Sequence, residues 1–189
     1  MTVARAWSAA LVGLDARPVV VEAALGNGLP GLTVVGLPDA AVRESRERIR
    51  SALRQIGLPL PGRNLVVNLA PADLPKSGTG FDLAVALAIL AANGDVPAEG
   101  LDGVLLAGEL ALDGEIRPVP GVLSIAECAR AEGRTRLIVA PENAAEASSV
   151  PGVVVLAAPH LGAVVAHVAG KELLAPWVAR PATEPVAAD

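Results

Sequence analysis

The sequence predicts an α/β (α+β) domain, a mixed sheet with crossover helices, and three observations carry that expectation. Hydrophobic residues are 52% of the 189, yet aromatics are only 2%. The core must then be built from Ala, Leu, Val and Ile, of which Ala and Leu favour helices and Val favours strands. The second half alternates short apolar runs with helix-length segments, as in a sheet with helical crossovers. Leu83 to Ala92 is an unbroken apolar run, of a length suited to a buried helix rather than a membrane span.

The elements follow in order. Val3 to Leu14 and Val19 to Ala24 are β-compatible, and turn residues between Gly13 and Pro18 suggest a hairpin. Leu32 to Val35 reads as a third strand. Asp39 can cap a helix whose apolar residues, Val42, Ile49, Leu53 and Ile56, fall on one face. The opposite face carries Arg43, Glu44, Arg46, Glu47, Arg48, Arg50 and Arg54, with Glu44–Arg48 spaced as an i,i+4 pair. Gly57 and Pro59 end this helix. Asn64 to Leu69 is a strand, Pro71 to Gly80 a polar loop, and Asp82 to Asn93 the buried helix. Val104 to Ala107 is a strand, and Leu110 to Ile116 a tight turn between two short ones. Val122 to Glu132 is a helix and Leu137 to Ala140 a strand. Glu142 to Ala147 forms a helical turn, Val153 to Ala157 a strand, and Leu161 to Val168 the last helix. Beyond Gly170 the pattern fails. Pro176, Pro181 and Pro185 mark residues 171–189 as a linker or tail, leaving 1–170 as the domain.

Charge and composition narrow the function. A net charge of -5 does not suit a uniformly basic nucleic-acid binder, although a local basic face is compatible with it. No apolar run approaches the roughly 18–20 residues of a spanning helix. The start, Met1-Thr-Val-Ala-Arg, is not a secretory signal. Cys128 stands alone, which points to a reducing cytoplasm.

Four stretches carry a resemblance. They are NGLPGLTVVGLPDAAVRESRERIRSAL from Asn27, VNLAPADLPKSGTGFDLAVALAIL from Val67, GELALDGEIRPVPGVL from Gly108, and LIVAPENAAEA from Leu137. In content and order they resemble the amino-terminal domain of the ComM/YifB family of magnesium-chelatase-like AAA+ ATPases. The resemblance implies a fold similar to the proteolytic domain of Lon, related to ribosomal-protein and GHMP-kinase folds. It implies an AAA+ domain of the ChlI type in the same chain after this domain, so that the sequence is a fragment of a longer protein. That AAA+ part would use ATP and Mg2+, and this segment would need no cofactor. The intact proteins look like hexamers acting on DNA, with ComM members associated with branch migration in natural transformation.

The same resemblance tests catalysis. Lon-type peptidases pair a Ser nucleophile with a Lys general base, and both must be positioned. Counting on from Pro75-Lys76-Ser77-Gly78, the nucleophile position falls on Gly80. The base position, after Pro120-Gly121-Val122, falls on Leu123. Gly offers no nucleophile and Leu takes no proton, so this segment is expected not to be an enzyme. One alternative is a divergent peptidase using Lys76 with Ser77 or Thr79, although adjacent side chains of an extended segment point apart. Another is a module that binds a protein partner.

The remaining candidates are weighed against plainer roles. Gly78-Thr79-Gly80 opens a helix and could receive an anion. It lacks the order GxxxxGK[ST], with Lys76 preceding the glycines, so a tight turn is the weightier reading. Arg43, Arg46, Arg50 and Arg54 form one stripe that could contact phosphates. Without aromatics the stripe offers no base stacking, and a solvated helix face is the plainer alternative. Asp73 and Lys76 read as loop structure. His160 and His167, seven apart on the last helix, lack companions at metal-ligand spacing. Cys128 suits packing, and Glu109 has no evident acid or base partner.

Overall fold

A computed structural model of the chain describes residues 3–178. Strand β1 (Val3–Val12) and strand β2 (Asp15–Gly26) form the expected hairpin, paired from Val3↔Ala24 to Val12↔Asp15. The turn is tighter than expected. It is Gly13-Leu14 alone, with Gly13 at φ 62°, and Pro18 lies inside β2 opposite Ala9. Proline is tolerated there because the other neighbour of β2 pairs only from Val20 onward.

Strand β3 (Gly31–Val35) and strand β4 (Asn64–Ala70) run parallel, joined by helix α1 (Ala40–Gln55). A parallel pair needs such a crossover. β4 then pairs antiparallel with β2. After helix α2 (Asp82–Asn93) come strand β5 (Val104–Leu106) and a two-stranded ribbon, β6 (Glu109–Leu110) and β7 (Ile116–Arg117). Helix α3 (Val122–Ala131), strand β8 (Arg136–Val139), helix α4 (Pro141–Ala147), strand β9 (Val154–Ala157) and helix α5 (Leu161–Val168) complete the order. The main sheet has seven strands in the order β3-β4-β2-β1-β5-β8-β9. β5, β8 and β9 are parallel, and β1 joins them through Trp7↔Leu105.

Two cores flank this mixed sheet. The larger lies between one face and helices α1, α2 and α5, and is filled by Ala, Val, Leu and Ile. All of α2 from Asp82 to Ala92 is buried, because it touches β1 and β2 on one side and α1 on the other. The smaller core lies between α3, α4 and the opposite face. The expected boundary at Gly170 falls just past the end of α5. From there the chain turns back along β9: Pro176 bridges Leu156, Trp177 N–H donates to the Val155 carbonyl at 2.8 Å, and the indole packs on the smaller core. Residues 179–189 of the expected tail lie outside the described residues.

Candidate functional site

Two of the motif stretches meet at the start of α1. Gly36 has φ 98°, and a Cβ there would lie 2.2 Å from the Leu69 carbonyl oxygen. Only glycine lets β3 turn this closely against β4. Leu37 follows at φ 57°, a left-handed conformation that costs a side-chain-bearing residue about 1–2 kcal/mol. The turn is then bolted to the polar loop. Lys76 N–H donates to Leu37 O at 3.1 Å, and Asp39 N–H to Lys76 O at 2.9 Å. Asp39 caps α1 through Oδ1, which accepts from Val42 N–H at 2.8 Å. Its Oδ2 accepts from Gly78 N–H at 3.1 Å.

The Lys76 side chain is fully buried. Its Nζ donates to the Pro71 carbonyl, and among the described residues it makes no bond to Ser77 or Thr79. Burial lowers the pKa of its amine, with the Asp73 charge opposing that shift. Asp82, at the first turn of α2, is a second buried charge. Arg48 grips it bidentately, Nε to Oδ2 at 2.7 Å and Nη2 to Oδ1 at 3.1 Å. Leu110 N–H adds a third bond to Oδ2 at 3.1 Å. Burial pushes the Asp82 carboxyl up, and Arg48 and the Leu110 amide pull it back. The expected Glu44–Arg48 pairing and the outward placement of Arg48 are thus corrected. A desolvated carboxylate is a stronger partner than an exposed one. Residue 48 lies three past buried Ser45 and four before buried Ala52, at the edge of the packed face.

The two positions expected for a dyad, Gly80 and Leu123, sit in different surroundings. Gly80 lines a small cleft with Ser77, Thr79, Phe81, Val119 and Ile125. A Cβ on Gly80 would meet Val119 Cγ1 at 3.7 Å, an ordinary contact, so packing alone does not require glycine there. Leu123 is 44% exposed, and its N–H donates to Glu146 Oε1 at 3.2 Å. It borders a separate depression with Asp15, Ser124 and Glu127.

Around Gly78-Thr79-Gly80 several backbone amides are already engaged. Gly78 N–H is taken by Asp39, Asp82 N–H by the Thr79 carbonyl and Leu83 N–H by the Gly108 carbonyl. A phosphate cradle needs such amides free. The Lys that might have reached a phosphate is turned to Pro71.

The arginine row divides along α1. Arg43 Nη1 donates to Pro38 O at 2.7 Å. Arg46 bonds Arg43 O at 3.0 Å and Leu32 O at 3.4 Å. Those two share their patch with Glu44 and Glu47. Arg50 pairs with Glu47 at 2.8 Å. Arg54 is exposed and has no ion-pair partner among the described residues. Arg50 and Arg54 both border a groove of about 230 Å3.

The histidines act as separate fasteners. His160 precedes α5 and caps it, Nδ1 accepting from Gly162 N–H at 3.1 Å while Nε2 donates to the Asp113 carbonyl at 2.8 Å. His167 Nδ1 accepts from Leu174 N–H at 3.0 Å. Buried Cys128 has its thiol pushed up to about 11, by burial and then by Glu132, so it stays protonated at neutral pH. Glu109 lies 3.7 Å from Arg117 across the ribbon. Among the described residues no group of three metal-ligating side chains comes together, and no helix is long and apolar enough to cross a membrane.

Comparison with known proteins adds an independent line. A family model described as subunit ChlI of Mg-chelatase matches residues 21–143. The chain is 43% identical over 187 residues to the YifB protein of Salmonella typhimurium, covering 99% of this chain and 37% of that protein. It is 45% identical over 150 residues to the competence protein ComM of Haemophilus influenzae, covering 79% and 29%. A Lon protease of Salinispora arenicola is 29% identical over 151 residues, covering 75% and 19%. The chain therefore spans about a third of the length of its YifB and ComM relatives.

Proposed function

The chain belongs to the ChlI-type, magnesium-chelatase-like family that includes YifB and ComM, and from that premise we propose that it is a non-catalytic accessory domain of a DNA-acting AAA+ ATPase. In this reading residues 1–170 are the amino-terminal, Lon-protease-like domain. Residues 171–189 lead to the AAA+ domain of the same chain, which supplies ATP and Mg2+ chemistry. The parent protein works in the cytoplasm as a hexamer, in a competence-type process on DNA. The accessory domain assembles the ring or positions its substrate, contacting DNA through Arg43, Arg46, Arg50 and Arg54.

The observation that carries the non-catalytic part is the pair Gly80 and Leu123. The fold is kept, yet neither position holds a group that can attack or accept a proton. The one buried amine nearby, Lys76, bonds a carbonyl. The test is hydrolysis of an unfolded protein such as casein by this chain, beside labelling by a serine-directed fluorophosphonate. Neither cleavage nor labelling is expected. Cleavage that disappears in Lys76→Ala together with Ser77→Ala or Thr79→Ala would establish a divergent peptidase instead.

A further inference from the structure

The groove beside the C-terminal half of α1 differs from the other surface along that helix. It is walled by Pro30, Pro59, Leu60 and Pro61, with Arg50 and Arg54 at its border and no carboxylate among its lining residues. The patch at the N-terminal half holds Arg43 and Arg46 with Glu44 and Glu47, and so is balanced in charge. Arg54, in the last turn of α1, faces the helix's negative end, where a cation is favoured. An anion approaching the same groove would therefore need Arg50 and Arg54 themselves to hold it.

We propose that this groove binds one phosphate-and-sugar unit of a single-stranded nucleic acid, the phosphate on Arg50 and Arg54 and the sugar and base face against the proline and leucine wall. This rests on the nucleic-acid reading of the arginine row and narrows it to the C-terminal pair. Three features favour this occupant. Arg50 and Arg54 both line the groove, and a guanidinium donates to phosphate oxygens through a planar fork of N–H groups. The volume, about 230 Å3, lies below the roughly 300 Å3 at which pockets enclose a whole drug-sized ligand. It suits a single unit of a longer chain. The apolar wall needs an uncovered sugar or base face, which a single strand exposes and a duplex keeps stacked. Arg43 and Arg46 donate to backbone carbonyls, whereas Arg50 holds the exposed carboxylate of Glu47, which a phosphate can displace, and Arg54 has no ion-pair partner among the described residues.

The groove can also be tested without removing an arginine. A Cβ on Gly62 meets nothing within 4 Å, and Gly62 does not adopt a left-handed φ. Gly62→Asp therefore places a carboxylate at the groove without a backbone conflict. The experiment is fluorescence anisotropy of a labelled oligothymidylate and of a duplex of equal length, titrated with this chain over a salt series. Thermal unfolding confirms that each variant is folded. Arg50→Gln/Arg54→Gln should weaken single-strand binding at least tenfold. It should also flatten the dependence of log K on log[salt] by about 0.7, for the one phosphate the pair holds. Gly62→Asp should weaken binding to a similar extent, and Arg43→Gln/Arg46→Gln should cost less than either. If the Arg43/Arg46 variant loses as much as the Arg50/Arg54 variant, or if the duplex binds more tightly than the single strand, the groove assignment fails while the row still contacts DNA. If no variant changes binding, or the chain binds neither nucleic acid, the assignment and the nucleic-acid reading fail together.

Discussion

Asp82 is 1% exposed in its side chain, and Arg48 opposite it is 20% exposed. Taking both charges out of water is costly, and geometry alone makes the pair tolerable: two guanidinium bonds and the Leu110 amide satisfy the carboxylate. The contact ties α1 to the first turn of α2 and to the ribbon strand β6. Removing Arg48 would leave the Asp82 carboxyl buried and short of partners, with burial pushing it further up. Arg48→Met should therefore cost about 3–5 kcal/mol, the scale for breaking a buried pair, read as a lower denaturation midpoint. Arg48→Met/Asp82→Leu should cost less than the single change, because no lone charge remains. An Arg48→Met variant within 0.5 kcal/mol or so of the parent, the ordinary range for surface changes, would mean the pair contributes little. At this scale the sequence was partly legible. Gly80 and Leu123 follow from counting along runs that resemble the family, and they remain the expected dyad positions. The role of Lys76 could not, because nothing in a polar loop says that its lysine folds inward.

At the level of elements, α1 shows both the reach and the limit of periodicity. The apolar residues Val42, Ile49 and Leu53 are buried as their spacing predicts. The same wheel set Arg48 among the solvated residues, since periodicity cannot see a buried acid thirty-four residues away. Strand β2 starts earlier than expected because Asp15 and Pro18, residue types that favour turns, lie inside it. The segment after α5 is similar. Its prolines suggested a linker, yet residues up to Trp177 lie along β9, where a backbone bond and an indole hold them. His167 fastens that segment through Leu174, and this gives a pH dependence. Burial, then the Arg136 charge, holds its pKa below the ordinary value of about 6.5. The native state thus binds fewer protons there than the unfolded chain. This contribution to stability is intact above that value and shrinks as pH falls below it. Protonation would also remove the acceptor for Leu174. The protection factors of the Leu174 and Trp177 amides, corrected for the intrinsic pH dependence of exchange, should fall as pH is lowered from 7.5 to 5.5. In His167→Gln the protection should change less over the same range. Equal pH response in both proteins would contradict this role.

Across the whole molecule, the alternation of strands and helices announced a sheet with crossovers, and four ordered motif stretches announced the family. Neither revealed that the antiparallel hairpin and the parallel half share one sheet. That depends on Trp7↔Leu105, a long-range pairing without a local signal. Nor could the row of four arginines be seen to divide, since the carbonyls and glutamates that occupy Arg43, Arg46 and Arg50 are set by the fold. What emerges is a scaffold of Lon type without side chains for chemistry at the expected positions, presenting a basic helix beside a carboxylate-free groove. The most direct measurement is binding of this chain to branched and to single-stranded DNA, at matched salt, beside a variant with Arg43, Arg46, Arg50 and Arg54 all changed to Gln. The nucleic-acid reading predicts measurable binding by the parent chain, with the variant weakened and its salt dependence flattened. Equal affinity and equal salt dependence in the two proteins would contradict it.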